Sequence, residues 1–201
     1  MNLTPESIIK RFDDYPRNSI QIRGDHDLNS GLPITKNLIS AAVLIGLIKY
    51  PGKLAVLLTQ RTSHLQHHPG QISFPGGQSN PNDKSPEETA LRETEEEVGL
   101  HRRYIKPIGR LCEYVTRTGF SITPVVAFIE PTFSITHDPF EVEEVFEVPL
   151  EFLLNPANHK RHRRKFGKQT REFHAMPFEG HYIWGATAGM LINLYEFLII
   201  K

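Results

Sequence analysis

The sequence predicts one mixed α/β domain in which a β-sheet lies between helices. Residues 41–50 and 53–61 are apolar runs of strand length, rich in β-branched side chains. Residues 86–98 carry the start and stop signals of a helix, and residues 186–199 place Leu191, Leu194, Tyr195 and Leu198 on one helical face. The chain has 201 residues and no repeats or low-complexity linker, so one domain accommodates all of these elements.

The sequence of the N-terminal part of the chain predicts little regular structure. Residues 5–13 have the pattern of a short amphipathic helix, and residues 16–37 read as an irregular lead-in. We therefore expect residues 1–37 to precede a single globular domain over residues 38–198.

The central elements follow in order along the chain. Pro51 and Gly52 occupy the two central positions expected of a type II turn, which predicts a hairpin between the first two strands. Shorter patterns predict further strands at about 103–115, 120–129 and 142–148, a brief helix from Pro149, and a polar hairpin within 158–176.

The helix over residues 86–98 has an unusually complete set of boundary signals. Ser85 is suited to cap the helix, Pro86 to occupy its first position, and Glu88 to complete a capping box. Gly99 supplies the stop. These signals fix which residues share a helical face.

Three carboxylates project from one side of this helix. Glu93, Glu96 and Glu97 are spaced i, i+3 and i+4, beside an inward arc formed by Ala90, Leu91, Thr94 and Val98. Like charges at this spacing cost roughly 0.2–0.5 kcal/mol per pair on an exposed helix. A hard divalent cation would turn the repulsion into binding. A solvated acidic face is the alternative interpretation.

A glycine pair precedes the helix. Gly76 and Gly77 follow a strand end, where backbone groups without a Cβ approach a phosphate or a metal closely. A glycine-rich loop leading to a metal-binding helix predicts phosphate chemistry.

At this point the chain resembles the Nudix hydrolases. Their box reads Gly-x5-Glu-x7-Arg-Glu-U-x-Glu-Glu-x-Gly-U, with U apolar. Its second half is matched by Arg92, Glu93, Glu96, Glu97, Gly99 and Leu100, with Thr94 in the first U place. Lys84 stands where the box has Glu, and Gly77 lies one residue too early. The coenzyme A pyrophosphatase branch of the family tolerates that departure.

An upstream motif resembles the same branch. The residues in register are Leu57, Leu58, Thr59, Arg61, Gly70, Phe74, Pro75, Gly76 and Gly77. Thr62 replaces a Ser or Ala of the pattern, and Gln66 replaces an Arg that could have met a phosphate. His67 and His68 are candidate substitutes. Later blocks also resemble the branch: residues 123–126, 141–146 and 182–188.

The resemblance implies a Nudix fold and Mg²⁺- or Mn²⁺-dependent hydrolysis of a diphosphate. The implied metal ligands are Glu93, Glu96 and Glu97, and the candidate bases are Glu96, Glu97 and Glu141, the last because it stands at a strand start. Arg92 is expected to orient the carboxylates through a salt bridge to Glu96, and Arg61, Gly76 and Gly77 are expected to contact substrate. The implied substrate is coenzyme A, which gives 3′,5′-ADP and 4′-phosphopantetheine.

Two other functions stay open at this stage. Another nucleoside diphosphate derivative, such as ADP-ribose or a dinucleoside polyphosphate, is the enzymatic alternative. A non-catalytic nucleotide- or RNA-binding module is the other. Seven basic residues between 159 and 171, with no acidic residue among them, fit a solvated hairpin, a nucleic-acid surface or a flap near a coenzyme A 3′-phosphate.

Composition and residue spacing restrict the expected partners, disulfides, metal sites and cellular location. The formal net charge is +0, which gives no support for binding nucleic acid over the whole surface. Cys112 is the only cysteine, so an intramolecular disulfide is excluded. His64, His67, His68 and His162 are too loosely spaced to predict zinc. Without a signal peptide or membrane-length apolar run, a cytoplasmic protein with a small-molecule substrate and no membrane partner is expected. A homodimer is left open.

Overall fold

The computed structural model describes residues 3–14, 22–29, 37–66, 68–132, 134–167 and 169–200. Its α-helices are α1 (Pro5–Asp14), α2 (Pro86–Val98), α3 (Leu150–Leu154) and α4 (Ala186–Tyr195). Its strands are β1 (Arg23–Gly24), β2 (Ile39–Tyr50), β3 (Lys53–Arg61), β4 (Ile72–Ser73), β5 (Gly76–Gln78), β6 (Ile105–Arg110), β7 (Tyr114–Val115), β8 (Phe120–Ile129), β9 (Val142–Pro149), β10 (Lys160–Phe166), β11 (Gln169–Phe178) and β12 (His181–Trp184).

Within the described residues, strands β1 to β9 form one mixed sheet. Its path runs β1-β7-β8-β2-β3-β4, with β5 beside β2, β6 beside β8 and β9 beside β3. The long parallel pair β2 and β8 forms the centre, with Ile39 opposite Phe120 and Ile48 opposite Ile129. Strands β10, β11 and β12 form a separate antiparallel sheet.

The predicted hairpin between β2 and β3 is confirmed. Tyr50 lies opposite Lys53, and Gly52 has a φ of 74°, as the second central residue of a type II turn requires. The capped helix, the strand over 120–129, the strand over 142–148 and the brief helix after Pro149 are confirmed as well.

Helices cover both faces of the large sheet. Alternate residues of β2 point to opposite sides, because side chains alternate along a strand. Ala42 and Leu44 pack on one side with Ala90 and Val98 of α2. On the other side, Val43, Ile45 and Leu47 pack with Ile8 of α1 and with residues of α3 and α4, among them Leu153, Leu191 and Leu194. The predicted sheet between helices is therefore confirmed.

The predicted single strand over 103–115 was wrong. A 3₁₀ turn occupies Arg102–Tyr104, and the rest is divided into β6 and β7. The register against β8 shifts between Pro107 and Gly109. Proline has no N–H to donate to the ladder, and Gly109 passes so close to Phe12 that a Cβ would lie 2.3 Å from that ring.

Two further expectations need correction. The lead-in is not wholly irregular, since it contains β1 and a 3₁₀ turn over Asp25–Leu28; its residues 16–21 and 30–36 lie outside the described part of the chain. The last helix is α-helical only to Tyr195 and continues as a π-helical turn over Glu196–Ile200. Its residues 187–194 are all buried, so it has no single apolar face.

The polar hairpin predicted within 158–176 is present as β10 and β11. It is extended by β12, which leads directly into α4. Among the described residues, no helix has both the length and the apolar character needed to cross a membrane.

Candidate active site

The boundaries of α2 follow the sequence signals closely. Ser85 Oγ accepts a hydrogen bond of 3.3 Å from the Glu88 N–H. Glu88 reaches one residue further back than expected, because its carboxylate accepts from the Lys84 N–H at 2.7 Å. Gly99 ends the helix with a φ of 69°. These caps fix the orientation of the acidic face.

The glycine pair brings β5 against this face. A Cβ on Gly77 would lie 2.4 Å from Glu93 Oε2, and one on Gly76 would lie 2.4 Å from the Ala42 carbonyl oxygen. Gly76 also has a φ of 151°, a conformation that side chains disfavour. Its N–H donates to Glu97 Oε2 at 3.1 Å. A side chain would therefore clash with Glu93 of α2 at position 77 and with β2 at position 76.

Glu97 is not part of an exposed acidic patch, contrary to expectation. The residue is only 6% exposed, and Arg61 Nη1 lies 3.5 Å from its Oε1. Burial raises the pKa of Glu97 to about 7; the charges of Glu93 and Glu141 add to this, whereas the Gly76 N–H and Arg61 oppose it. The sequence spacing did not reveal this burial, because the covering surface comes from β5 and β3.

Glu93 and Glu96 differ in exposure although they share the helical face. The Glu93 side chain is 18% exposed and that of Glu96 is 60% exposed. Burial raises the pKa of Glu93, and the hydrogen bond from Arg92 opposes that rise. The three carboxylates of this face therefore differ in exposure, from the buried Glu97 to the exposed Glu96.

Arg92 contacts both of these carboxylates. Its Nη1 lies 2.6 Å from Glu93 Oε1 and 3.0 Å from Glu96 Oε2, so the expected contact with Glu96 is present. Its Nε and Nη2 donate to the two oxygens of Asp83 at 3.1 and 2.9 Å. Sequence reasoning missed Asp83 as a partner of Arg92.

Glu141 lies near the buried carboxylates, at the start of β9. Its backbone oxygen accepts from the Thr62 N–H at 3.0 Å, which ties it to the end of β3. Its charge contributes to raising the pKa of both Glu93 and Glu97. The chain therefore returns to the acidic face at the strand start that the sequence indicated.

The donor set fits a hard divalent cation. The charges of Glu93 and Glu141 raise the pKa of Glu97, and a divalent cation bound beside Glu93 and Glu97 would relieve that repulsion. Within the part of the chain that the structure describes, no three His, Cys, Asp or Glu side chains already converge on one ligand position. Mg²⁺ keeps several waters and takes one or two carboxylates together with substrate phosphates, so it does not require three side chains to converge before substrate binds.

A cleft of about 510 Å³ adjoins this site. Arg61, Gly76 and Gly77, the three residues expected to contact substrate, line one end. The remainder includes polar and aromatic side chains from several other segments of the chain: Asp25, Asn29, His68, Thr116, Arg117, Phe120, Arg171, Phe173 and Trp184. Pockets of 300–1,000 Å³ are typical of small-molecule sites.

Sequence reasoning missed most of this second set. Trp184 lies in one of the blocks that resemble the coenzyme A branch, and that block was the available signal. No sequence signal indicated Arg117 or Phe173, because they come from separate elements that only the fold brings together. His68, a candidate substitute for the arginine that Gln66 replaces, lines the cleft, whereas His67 lies outside the described residues.

The basic segment is more structured than its sequence suggested. Arg161 Nη2 lies 2.8 Å from Glu172 Oε2, and Arg163 Nε donates to Glu172 Oε1 at 2.7 Å. Glu172, just outside the segment, is thus the acidic partner that the sequence interpretation lacked. Of the segment's basic side chains that the structure describes, Arg171 lines the cleft.

Comparison with known proteins agrees with this geometry. The family model described as NUDIX domain matches residues 39–169. An uncharacterized Nudix hydrolase, NudL, from Photorhabdus laumondii is 38% identical over 81% of this chain and 87% of its own length. The mouse peroxisomal coenzyme A diphosphatase NUDT7 is 37% identical over 69% of this chain and 58% of its own length.

A solved structure supports the fold. The MutT/nudix family protein from Enterococcus faecalis superposes with a TM-score of 0.53 at 16% identity, covering 100% of this chain and 76% of that one. The family match covers more than half of the chain and includes the glycine pair, the acidic helix and Glu141. This chain belongs to the Nudix hydrolase family.

Proposed function

We propose that this Nudix hydrolase cleaves the diphosphate linkage of coenzyme A or a derivative, with Mg²⁺ or Mn²⁺, to give 3′,5′-ADP and 4′-phosphopantetheine. The observation that carries the proposal is a single cleft lined by three arginine residues. Arg61 lies at the end next to Glu97, and Arg117 and Arg171 also line the cleft. Coenzyme A carries a diphosphate and a separate 3′-phosphate, so it presents two anionic groups to such a cleft.

The relatives give this proposal further support. The mouse protein with 37% identity is named as a coenzyme A diphosphatase. We assign residues 38–198 to the hydrolase domain and residues 1–37 to its N-terminal helix and lead-in.

The acidic face provides the metal ligands in this proposal. Glu93, Glu96 and Glu97 hold the cation. A bound divalent cation neutralises phosphate charge and lowers the pKa of water. Arg92 holds Glu93 and Glu96, and the Gly76 N–H fixes Glu97, so the carboxylates are oriented before substrate enters.

The remaining groups act on water and phosphate. Glu141 is the general base among the three candidates, because it comes from β9 rather than α2 and no assigned cation contact occupies it. In this role its carboxylate would take a proton from the attacking water, which requires the two to come within hydrogen-bond reach. Arg61 binds a phosphate oxygen, since its guanidinium lines the cleft and matches phosphate geometry.

A substrate panel with product identification tests the proposal. Coenzyme A, dephospho-coenzyme A and ADP-ribose are incubated with the purified chain, with and without Mg²⁺. We expect Mg²⁺-dependent release of 3′,5′-ADP and 4′-phosphopantetheine, with coenzyme A preferred in kcat/KM. Preference for ADP-ribose would assign a different nucleoside diphosphate substrate. No turnover of any compound, with Mg²⁺ or Mn²⁺, would favour a binding module.

A further inference from the structure

Part of the cleft wall is built by residues that flank the matched NUDIX domain. Asp25 and Asn29 precede the matched range, and Phe173 and Trp184 follow it. All four line the same cleft as Arg61. Segments on both sides of the matched range therefore contribute to the cleft wall.

Residues 22–29, here called the strap, are fastened to β11 by one side chain. Asn29 Nδ2 donates to the Glu172 carbonyl at 3.0 Å, and Asn29 Oδ1 accepts from the Glu172 N–H at 2.9 Å. The amide thus imitates the paired hydrogen bonds of a neighbouring β-strand. Because Phe173 directly follows Glu172, this pair fixes the backbone that carries the aromatic ring.

The strap is also fastened to the loop before β8. Asp25 Oδ1 accepts from the Tyr114 hydroxyl at 2.9 Å, and Asp25 Oδ2 accepts from the Arg117 N–H at 3.0 Å. Asn29 Nδ2 also donates to the Asp25 carbonyl at 2.8 Å, so the two fastening points are linked. The strap therefore holds the loop and β11 at a fixed separation.

The groups fixed in this way suit a nucleoside. The Phe173 and Trp184 rings lie edge to face with centroids 5.3 Å apart, and both are half-buried in the cleft wall. Aromatic side chains contact the π-face of any nucleobase, and a nearby guanidinium such as Arg117 complements a phosphate. The polar atoms of Asp25 and Asn29 already bind protein groups, so these two side chains position the wall.

We propose that the strap fixes a nucleoside subsite, in which Phe173 and Trp184 contact the base of the substrate. Asn29 is a positioning residue for this subsite. The inference rests on the proposed function, because a nucleoside held here leaves the attached diphosphate to reach Arg61 and the acidic helix.

Binding can be measured without metal or turnover, because Trp184 is the only tryptophan in the chain. The full chain is titrated with adenosine 3′,5′-bisphosphate while the tryptophan fluorescence is recorded. We expect saturable quenching as the base contacts the indole. 4′-Phosphopantetheine, which has no base, should give no saturable change. Asn29→Ala should raise Kd about tenfold through the lost hydrogen bonds.

Two further variants make the result decisive. Asn158→Ala removes a comparable hydrogen bond, from Asn158 Nδ2 to the Phe152 carbonyl at 2.9 Å, outside the cleft lining, and should keep the wild-type Kd. Phe173→Leu keeps the fluorescent reporter and should also weaken binding, so the test survives if Asn29→Ala does not fold.

Absence of saturable quenching in the wild type would overturn the proposed subsite. Wild-type affinity in folded Asn29→Ala or Phe173→Leu would also overturn it. Hydrolysis of coenzyme A without quenching would reject the subsite and keep the proposed function. Quenching without hydrolysis would reject the proposed function and keep the subsite.

Discussion

Asp83 holds Arg92 through two hydrogen bonds, one to each carboxylate oxygen, at 3.1 and 2.9 Å. The Arg92 hydrogen bonds hold the pKa of Asp83 well below its usual range, so this pair is charged throughout the neutral pH range. The same guanidinium contacts Glu93 and Glu96. Asp83, a loop residue before α2, thereby sets the position of the Arg92 guanidinium, which contacts two of the proposed metal ligands.

Replacing Asp83 by Asn should therefore lower activity although Asp83 does not line the cleft. We expect kcat to fall about tenfold, because Arg92 loses one charged partner and shifts against Glu93 and Glu96. The reduction should be smaller at high Mg²⁺, since the metal then competes with the displaced guanidinium. Asp14→Asn, which removes an exposed pair with Lys10, is the control. Unchanged kcat and Mg²⁺ dependence in Asp83→Asn would refute the positioning role.

Replacing Glu97 by Gln should reduce turnover by about 100-fold or more while the protein stays folded. Loss of such electrostatic stabilisation in a transition state costs about 2.7–4 kcal/mol. Glu95→Gln, on the same helix, weakens surface contacts with Arg102 and His101 and should keep activity within about twofold. Steady-state kinetics at saturating Mg²⁺ decide the matter: near-wild-type turnover in Glu97→Gln would exclude it as a metal ligand.

Mg²⁺ should raise the melting temperature, because a ligand that binds only the native state stabilises it by mass action. The rise should disappear in the Glu93→Gln, Glu97→Gln double variant. NaCl at matched ionic strength controls for general salt effects. If wild type and double variant gain equally from Mg²⁺, the cation binds elsewhere.

The wild type should prefer coenzyme A over dephospho-coenzyme A by about ten- to a hundred-fold in kcat/KM. A charge-assisted contact to the 3′-phosphate contributes about 1.5–3 kcal/mol. Arg117→Ala or Arg171→Ala should shrink this preference, because both residues line the cleft. Arg163→Ala should leave it intact, since Arg163 is 75% exposed and pairs with Glu172. Equal use of both substrates by the wild type would contradict recognition of the 3′-phosphate.

His174 should make stability depend on pH below its ordinary pKa of 6.5. Burial lowers the pKa of His174, and the charges of Arg161, His159 and Arg23 add to that effect against the opposing charge of Glu196. The unfolded chain then binds a proton more readily than the folded one, so this stability is full above pH 6.5 and is lost as pH falls towards the folded pKa. The melting temperature should fall between pH 8 and pH 5.5 by less in His174→Gln than in the wild type. An equal fall in both proteins would show that His174 is not the source of the pH dependence.

The sequence by itself determined the local elements and the spacing of the acidic face. Ser85, Pro86 and Gly99 fix α2 through their own backbone preferences, and Pro51–Gly52 fixes the first hairpin in the same way. The Nudix resemblance likewise depends on residues close together in the chain. Such features need no knowledge of distant contacts.

Tertiary structure alone decided the burial of Glu97, the role of Asp83 and the composition of the cleft. The exposure of Glu97 depends on β5 and Arg61, and the cleft joins residues as far apart as Asp25 and Trp184. The register shift of β6 against β8 falls beside Gly109, where Phe12 of α1 approaches closely. Each of these outcomes arises from contacts between segments that are remote in sequence, and helical or strand periodicity carries no information about such contacts.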